Sequence, residues 1–230
     1  MNSTYFTGKM KMADLILKNF RLLYILPSFE LGIGIGEESV KQVCEKKGIS
    51  LNLFLLVCNL YTFNDYKPDN NTLKAIPLDA LTRFLKNSHK DYLETRMPSI
   101  ITHIMELVTS CHINHANIFE QFCKKYRDEV VAHFKYEEEI VFPYIIRLLE
   151  GKKSDNYDIK QYIVNHTDID SALHDLKNII IKYMPGDCSY YNSAREILID
   201  LSMFEDDLEK HTLLEDKILI SLAEKIESRI

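Results

Sequence analysis

Two stretches place a histidine one helical turn ahead of a glutamate: HFKYEEEIVFPYI, with His133 and Glu137, and EKHTLLEDKIL, with His211 and Glu215. If both stretches are helical, each pair shares a face. An imidazole nitrogen and a carboxylate oxygen on one face can hold a metal ion, relay a proton, or pair with each other. The choice depends on whether that face meets water or a core. Glu138 and Glu139 follow Glu137 directly, and neither shares its phase.

The elements that must position these residues read as helices. No hairpin signal and no alternating strand pattern stands out, so the chain is expected to be all-α. The first of four long amphipathic segments starts at Pro77, suited to the first helical position, and runs to Ser110, with a kink at Pro98. The second runs from about Ile113 to Glu150 and stops at Gly151. The third spans Asp158 to Met184, ended by Pro185-Gly186, and the fourth Asn192 to Arg229. Short connections between four such helices predict an antiparallel four-helix bundle over residues 71–230. Residues 1–70 read as a small helical N-terminal subdomain. It has a helix over 10–26 ended by Pro27, a glycine-punctuated loop ELGIGIGEESV, and a helix through SVKQVCEKK to Gly48. A further helix, SLNLFLLVCNLY, is capped by Ser50, and the polar stretch NDYKPDNNT follows as a linker.

The core face of a bundle helix shows as apolar residues spaced alternately by three and four. On the fourth helix that seam reads Leu201, Phe204, Leu208, His211, Glu215, Ile218, Leu222; on the second, Phe119, Phe122, Tyr126, His133, Glu137, Ile140, Tyr144. The third gives Ile159, Tyr162, His166, Ile169, Leu173, Leu176, Ile180, and the first Leu81, Leu85, His89, Tyr92. Each helix thus carries a histidine in phase with its core. A lone core histidine is usually a hydrogen-bonded packing residue. Uncompensated buried carboxylates, by contrast, cost several kcal/mol each. Four imidazoles and two carboxylates in one phase are what a metal site requires: His89, His133, His166, His211, Glu137 and Glu215.

The donor set narrows the metal. Six nitrogen and oxygen ligands exceed a closed tetrahedral zinc site, and no thiolate is in phase. Imidazole with carboxylate suits iron or manganese. Two carboxylates shared among four histidines favour a pair of ions bridged by Glu137 and Glu215, with positions left open. The Glu-x-x-His pattern of ferritin-like sites is missing, because no histidine has a glutamate three residues before it. His174 falls off the seam, His103 lies past the Pro98 kink, and His112 and His115 sit near a connection. Asp170 and His112 remain possible additional ligands.

Composition bounds the rest. The 230 residues carry a net charge of −6, with 46% apolar residues and 7 glycines, which argues against nucleic acid or an anionic membrane as partner. The N-terminus lacks a signal-peptide core, and the run LNLFLLVCNLYTF is too short to span a bilayer. Five scattered cysteines without a CxxC pair suit reduced thiols in the cytoplasm.

The motifs NSHKDYLETRMPSI, HFKYEEEIVFPYI, NHTDIDSALHDLKNIIIKYMP and EKHTLLEDKIL resemble the hemerythrin-like (HHE cation-binding) family over about residues 77–228. The resemblance implies a non-haem, oxo-bridged di-iron centre, with manganese as an alternative, bound by the histidine of each motif and by the glutamates of the second and fourth. Oxygen-carrying hemerythrins use five histidines. The four here are more similar to the repair-of-iron-centres branch, linked to nitrosative and oxidative stress. In that branch the loop ahead of the bundle carries an adjacent Cys-Cys pair, whereas this chain has Gly-Ile-Gly-Ile-Gly; Cys44 and Cys58 read as buried helix residues.

The function implied is a cytoplasmic di-iron protein of the nitric oxide and oxidative stress response, or of iron–sulfur centre repair. Nitric oxide or oxygen would be its ligand and damaged iron–sulfur proteins its partners. An oxygen or nitric oxide sensor acting through a protein partner is one alternative, and a di-iron nitric oxide reductase or peroxidase is another.

Overall fold

A computed structural model describes residues 5–111, 116–154, 156–165, 171–183 and 188–230, and among these the chain is helical with no strand. Two compact units are present. The first comprises residues 1–89, 144–155 and 210–230, the second 90–143 and 156–209.

In the first unit, the helix expected over 10–26 is divided into α1 (Met12–Lys18) and α2 (Leu22–Ile25). Asn19 divides it. Its backbone is extended at φ −148°, its amide donates to the Tyr61 carbonyl and to Thr62 Oγ1, both at 3.0 Å, and its Oδ1 accepts the Arg21 N–H at 3.1 Å. An asparagine side chain offers the backbone an alternative to helix, and here that alternative wins. Pro27 opens a 3₁₀ turn, Pro27–Phe29. Helix α3 (Val40–Lys47) starts with a reciprocal Ser39–Gln42 cap and stops at Gly48, whose φ of 67° suits a residue without Cβ. Helix α4 (Leu51–Thr62) is capped by Ser50. Its buried Asn59 is satisfied by both backbone groups of Phe6, at 2.7 and 3.3 Å. Part of the expected linker is also helical: Asp69 caps α5 (Asn70–Lys74).

The rings of Phe54, Phe29 and Phe84 join these elements to α6 (Leu78–Asp91). Phe29 lies 4.9 Å from Phe54 and 4.5 Å from Phe84, centroid to centroid. Beside them Ser88 Oγ donates to Ser28 Oγ at 2.9 Å, and Asn87 donates to the Ser28 carbonyl at 3.0 Å. The next residue is His89.

The second unit holds α7 (Met97–Ser110), α8 (Ala116–Tyr136), α10 (Ile159–Asn165), α11 (Ser171–Tyr183) and most of α12 (Cys188–Leu214). Helices α7, α8, α11 and α12 enclose one apolar core that includes Ile104, Val130, Leu176, Leu201 and Phe204. Helix α12 starts ahead of the expected Asn192. Helices α9 (Phe142–Leu149) and α13 (Ser221–Glu227) continue the second and fourth segments.

Among the described residues, three π-helical turns interrupt the long helices: Tyr92–Arg96, Glu137–Val141 and Glu215–Ile220. The first lies just ahead of Pro98, where the kink was expected. A π turn inserts one extra residue and advances the phase of everything after it. The second helix shows the consequence. Ile140, expected on the core seam, is 43% exposed, whereas Val141 is fully buried. On the fourth, Ala223 is buried and the expected Leu222 only half so.

Candidate metal centre

His89 ends the apolar stripe Leu81, Leu85 of α6, and all three are fully buried. His211 and Glu215 continue the stripe Leu201, Phe204, Leu208 of α12, and Glu215 opens the π turn. Within the first unit these side chains converge. The Nε2 atoms of His89 and His211 are 3.0 Å apart. Glu215 Oε1 lies 3.0 Å from His211 Nε2 and 3.8 Å from His89 Nε2. The three residues each offer one ligand atom within 4.8 Å of the others.

Burial on its own pushes the Glu215 carboxyl up. The adjacent His211, and then His89, outweigh it and hold the group well below the usual carboxylate range. Glu215 is only 1% exposed, and a carboxylate held ionised at that depth needs positive charge beside it.

In the second unit His133 and Glu137 form the matching pair, at 3.3 Å between Nε2 and Oε1. Glu137 is fully buried. As expected from phase, Glu138 is half-buried and Glu139 exposed. Glu137 and Glu215, each one turn after a histidine, both open a π turn, and a further π turn begins at Tyr92, shortly after His89. The Phe142 N–H reaches back to the Glu137 carbonyl, and the Met97 N–H to that of Tyr92.

Of the remaining sequence candidates, His166, Asp170, His112 and His115 lie outside the described residues. His174 is exposed, as its phase implied, and His103 is exposed too. The described donors fit a metal of the iron or manganese class. They are buried imidazoles and carboxylates within ligand reach of one another in each unit, with no cysteine among them.

Two features escaped the sequence reading. Tyr162 takes its expected seam position, yet its hydroxyl approaches Glu137 Oε1 at 3.4 Å. Periodicity marks the position as buried without showing what a phenol there touches. The second is a buried ion pair between Arg96 and Asp207, with the Arg96 guanidinium 4.9 Å from the Phe204 ring centre and 5.6 Å from that of Tyr92. Nearby, burial raises the carboxyl pKa of Asp91, an effect the Arg96 charge opposes.

The four cysteines described are free thiols. Burial pushes the Cys44 thiol up to about 11 and raises that of Cys58 well above its ordinary value. No described helix is long and apolar enough to cross a membrane.

Over 192 residues the chain is 20% identical to the iron–sulfur cluster repair protein ScdA of Staphylococcus haemolyticus, covering 81% of this chain and 84% of that protein. The protein of the same name from Staphylococcus epidermidis strain RP62A is 21% identical over 193 residues, covering 80% and 84%. The model of the hemerythrin HHE cation-binding domain matches residues 80–223, which include every histidine and glutamate described above, and the chain belongs to that family.

Proposed function

We propose that the chain is a non-haem di-iron protein of iron–sulfur centre repair, working in the cytoplasm under nitrosative or oxidative stress. Residues 71–230 are the iron-binding bundle and residues 1–70 a subdomain packed on it. The observation that carries this reading is the buried trio His89, His211 and Glu215, because an anion so deeply enclosed calls for cationic compensation. Glu137, His133 and His166 would complete the ligand set. The similarity to iron–sulfur cluster repair proteins supports the repair role and points to damaged iron–sulfur proteins as partners. Manganese is the alternative occupant.

When bound, the metal pair supplies redox chemistry and open positions for a small diatomic molecule such as nitric oxide or oxygen. The chain's own residues do the rest. His89, His133 and His211 bind as neutral imidazoles, so loading releases any proton they carry. Glu137 and Glu215 supply the negative charge. The apolar neighbours on each seam, Leu85 and Leu208 among them, keep bulk water from the carboxylates.

The test is reactivation of a nitric-oxide-damaged iron–sulfur enzyme. The iron-loaded protein should restore activity, and the His211→Ala variant should not. Restoration at equal rates by both would contradict the proposal, and steady consumption of nitric oxide without restoration would favour a reductase. One contact favours a second reading, a sensor acting through a partner: Ser28 of the N-terminal region bonds Ser88, next to His89. A change at that histidine would then be felt by the N-terminal helices.

A further inference from the structure

We propose that Tyr162 is a positioning residue for the metal centre, its phenol holding the carboxylate of Glu137. The inference rests on Glu137 being a ligand, as argued above. Tyr162 is 2% exposed and Glu137 fully buried, so no bulk water competes for the contact. The hydroxyl lies 3.4 Å from Oε1, the same oxygen that faces His133 Nε2 at 3.3 Å. Near neutral pH a phenol is protonated and an ionised carboxylate can only accept, so Tyr162 donates.

Each carboxylate oxygen has two lone-pair directions. Oε1 can therefore accept from Tyr162 and still present an electron pair to an ion. The hydrogen bond also restrains a torsion that is otherwise soft, because the last side-chain rotation of a glutamate has broad minima. The protein holds the donor firmly. Tyr162 lies on α10, whose approach is tied to the end of α8 by a second contact, Tyr157 to Tyr136 at 3.1 Å between hydroxyls. Partners of this kind behind a metal ligand are worth about 10- to 100-fold in metal affinity.

The experiment is Tyr162→Phe in the full chain, which keeps the ring and its packing. Iron content, the rate of iron loss to a chelator, the Tm of the metal-free protein and the visible and resonance Raman spectra are compared with wild type. The expected result is iron loss about 10-fold faster or more, with the metal-free Tm lowered by only a few degrees. Tyr157→Phe, which severs the other contact and spares the Glu137 partner, should quicken loss far less. Equal acceleration by both variants would overturn the proposal, since general loosening would explain it. A phenolate-to-iron band in wild type, lost in Tyr162→Phe, would overturn it by making Tyr162 a ligand. Identical kinetics in a fully loaded wild type and Tyr162→Phe would overturn it alone. A wild type that takes up no metal when iron is supplied would overturn both it and the reading on which it rests.

Discussion

Replacing His211 with alanine removes a donor that lies 3.0 Å from both His89 and Glu215. It leaves a buried carboxylate with less to compensate it. Bound iron should fall to near zero, and the iron-dependent part of the stability should go with it, about 2.7 kcal/mol where free metal is 100 times its dissociation constant. His174→Ala, at an exposed position, should change iron content and Tm little. Equal losses from the two variants, measured by metal analysis and calorimetry, would contradict the assignment. The thiols allow a second check at this scale. A Cys44 pKa raised to about 11 and a Cys58 pKa raised well above its ordinary value leave little thiolate near pH 8, and both residues are buried. In the native protein an alkylating agent should therefore label the half-exposed Cys111 before either, and mass spectrometry that found all three labelled together would refute this. The burial of His89, Glu137, His211 and Glu215 was legible in the sequence because an ionisable residue in phase with Leu85 or Leu208 contradicts its own stripe. Tyr162 was legible only as a buried residue, because a tyrosine suits an apolar stripe and its hydrogen bond depends on another helix.

The π turns belong to the scale of the element, and they are where periodicity misled. An ideal spacing carried the second seam from Glu137 to Ile140, but the turn at Glu137–Val141 advances the phase by one residue. Two substitutions separate the registers. Val141→Ala should cost about 1–2 kcal/mol through lost burial and the cavity left behind. Ile140→Ser should stay within about 0.5 kcal/mol, as exposed positions do. Urea midpoints decide between them, and a costly Ile140→Ser with a neutral Val141→Ala would restore the uninterrupted helix. Helix ends were better served by the sequence. Ser50 and Gly48 act through local backbone geometry, so neighbouring residues suffice to place them. Asn19 was harder to read. Its partners Tyr61 and Thr62 are distant in the chain, and nothing local shows that its amide will leave the helix for them.

For the whole molecule, an all-α chain with apolar seams on its long helices was readable because each seam repeats over several turns. The residues that join the N-terminal helices to α6 were not, since Phe29 gives no periodic signal yet joins Phe54 to Phe84. Phe29→Ala should cost about 3–5 kcal/mol. Because Phe84 and Ser88 share α6 with His89, it should also quicken iron loss to a chelator. A destabilised variant with unaltered iron loss would separate the N-terminal helices from the centre. The central claim is that the buried histidines and glutamates exist to hold a metal pair. Metal analysis with Mössbauer spectroscopy, on full-length protein produced with iron supplied, tests it most directly. Two iron ions per chain in a magnetically coupled pair are expected, and a single tetrahedral zinc, or no metal, would refute the assignment.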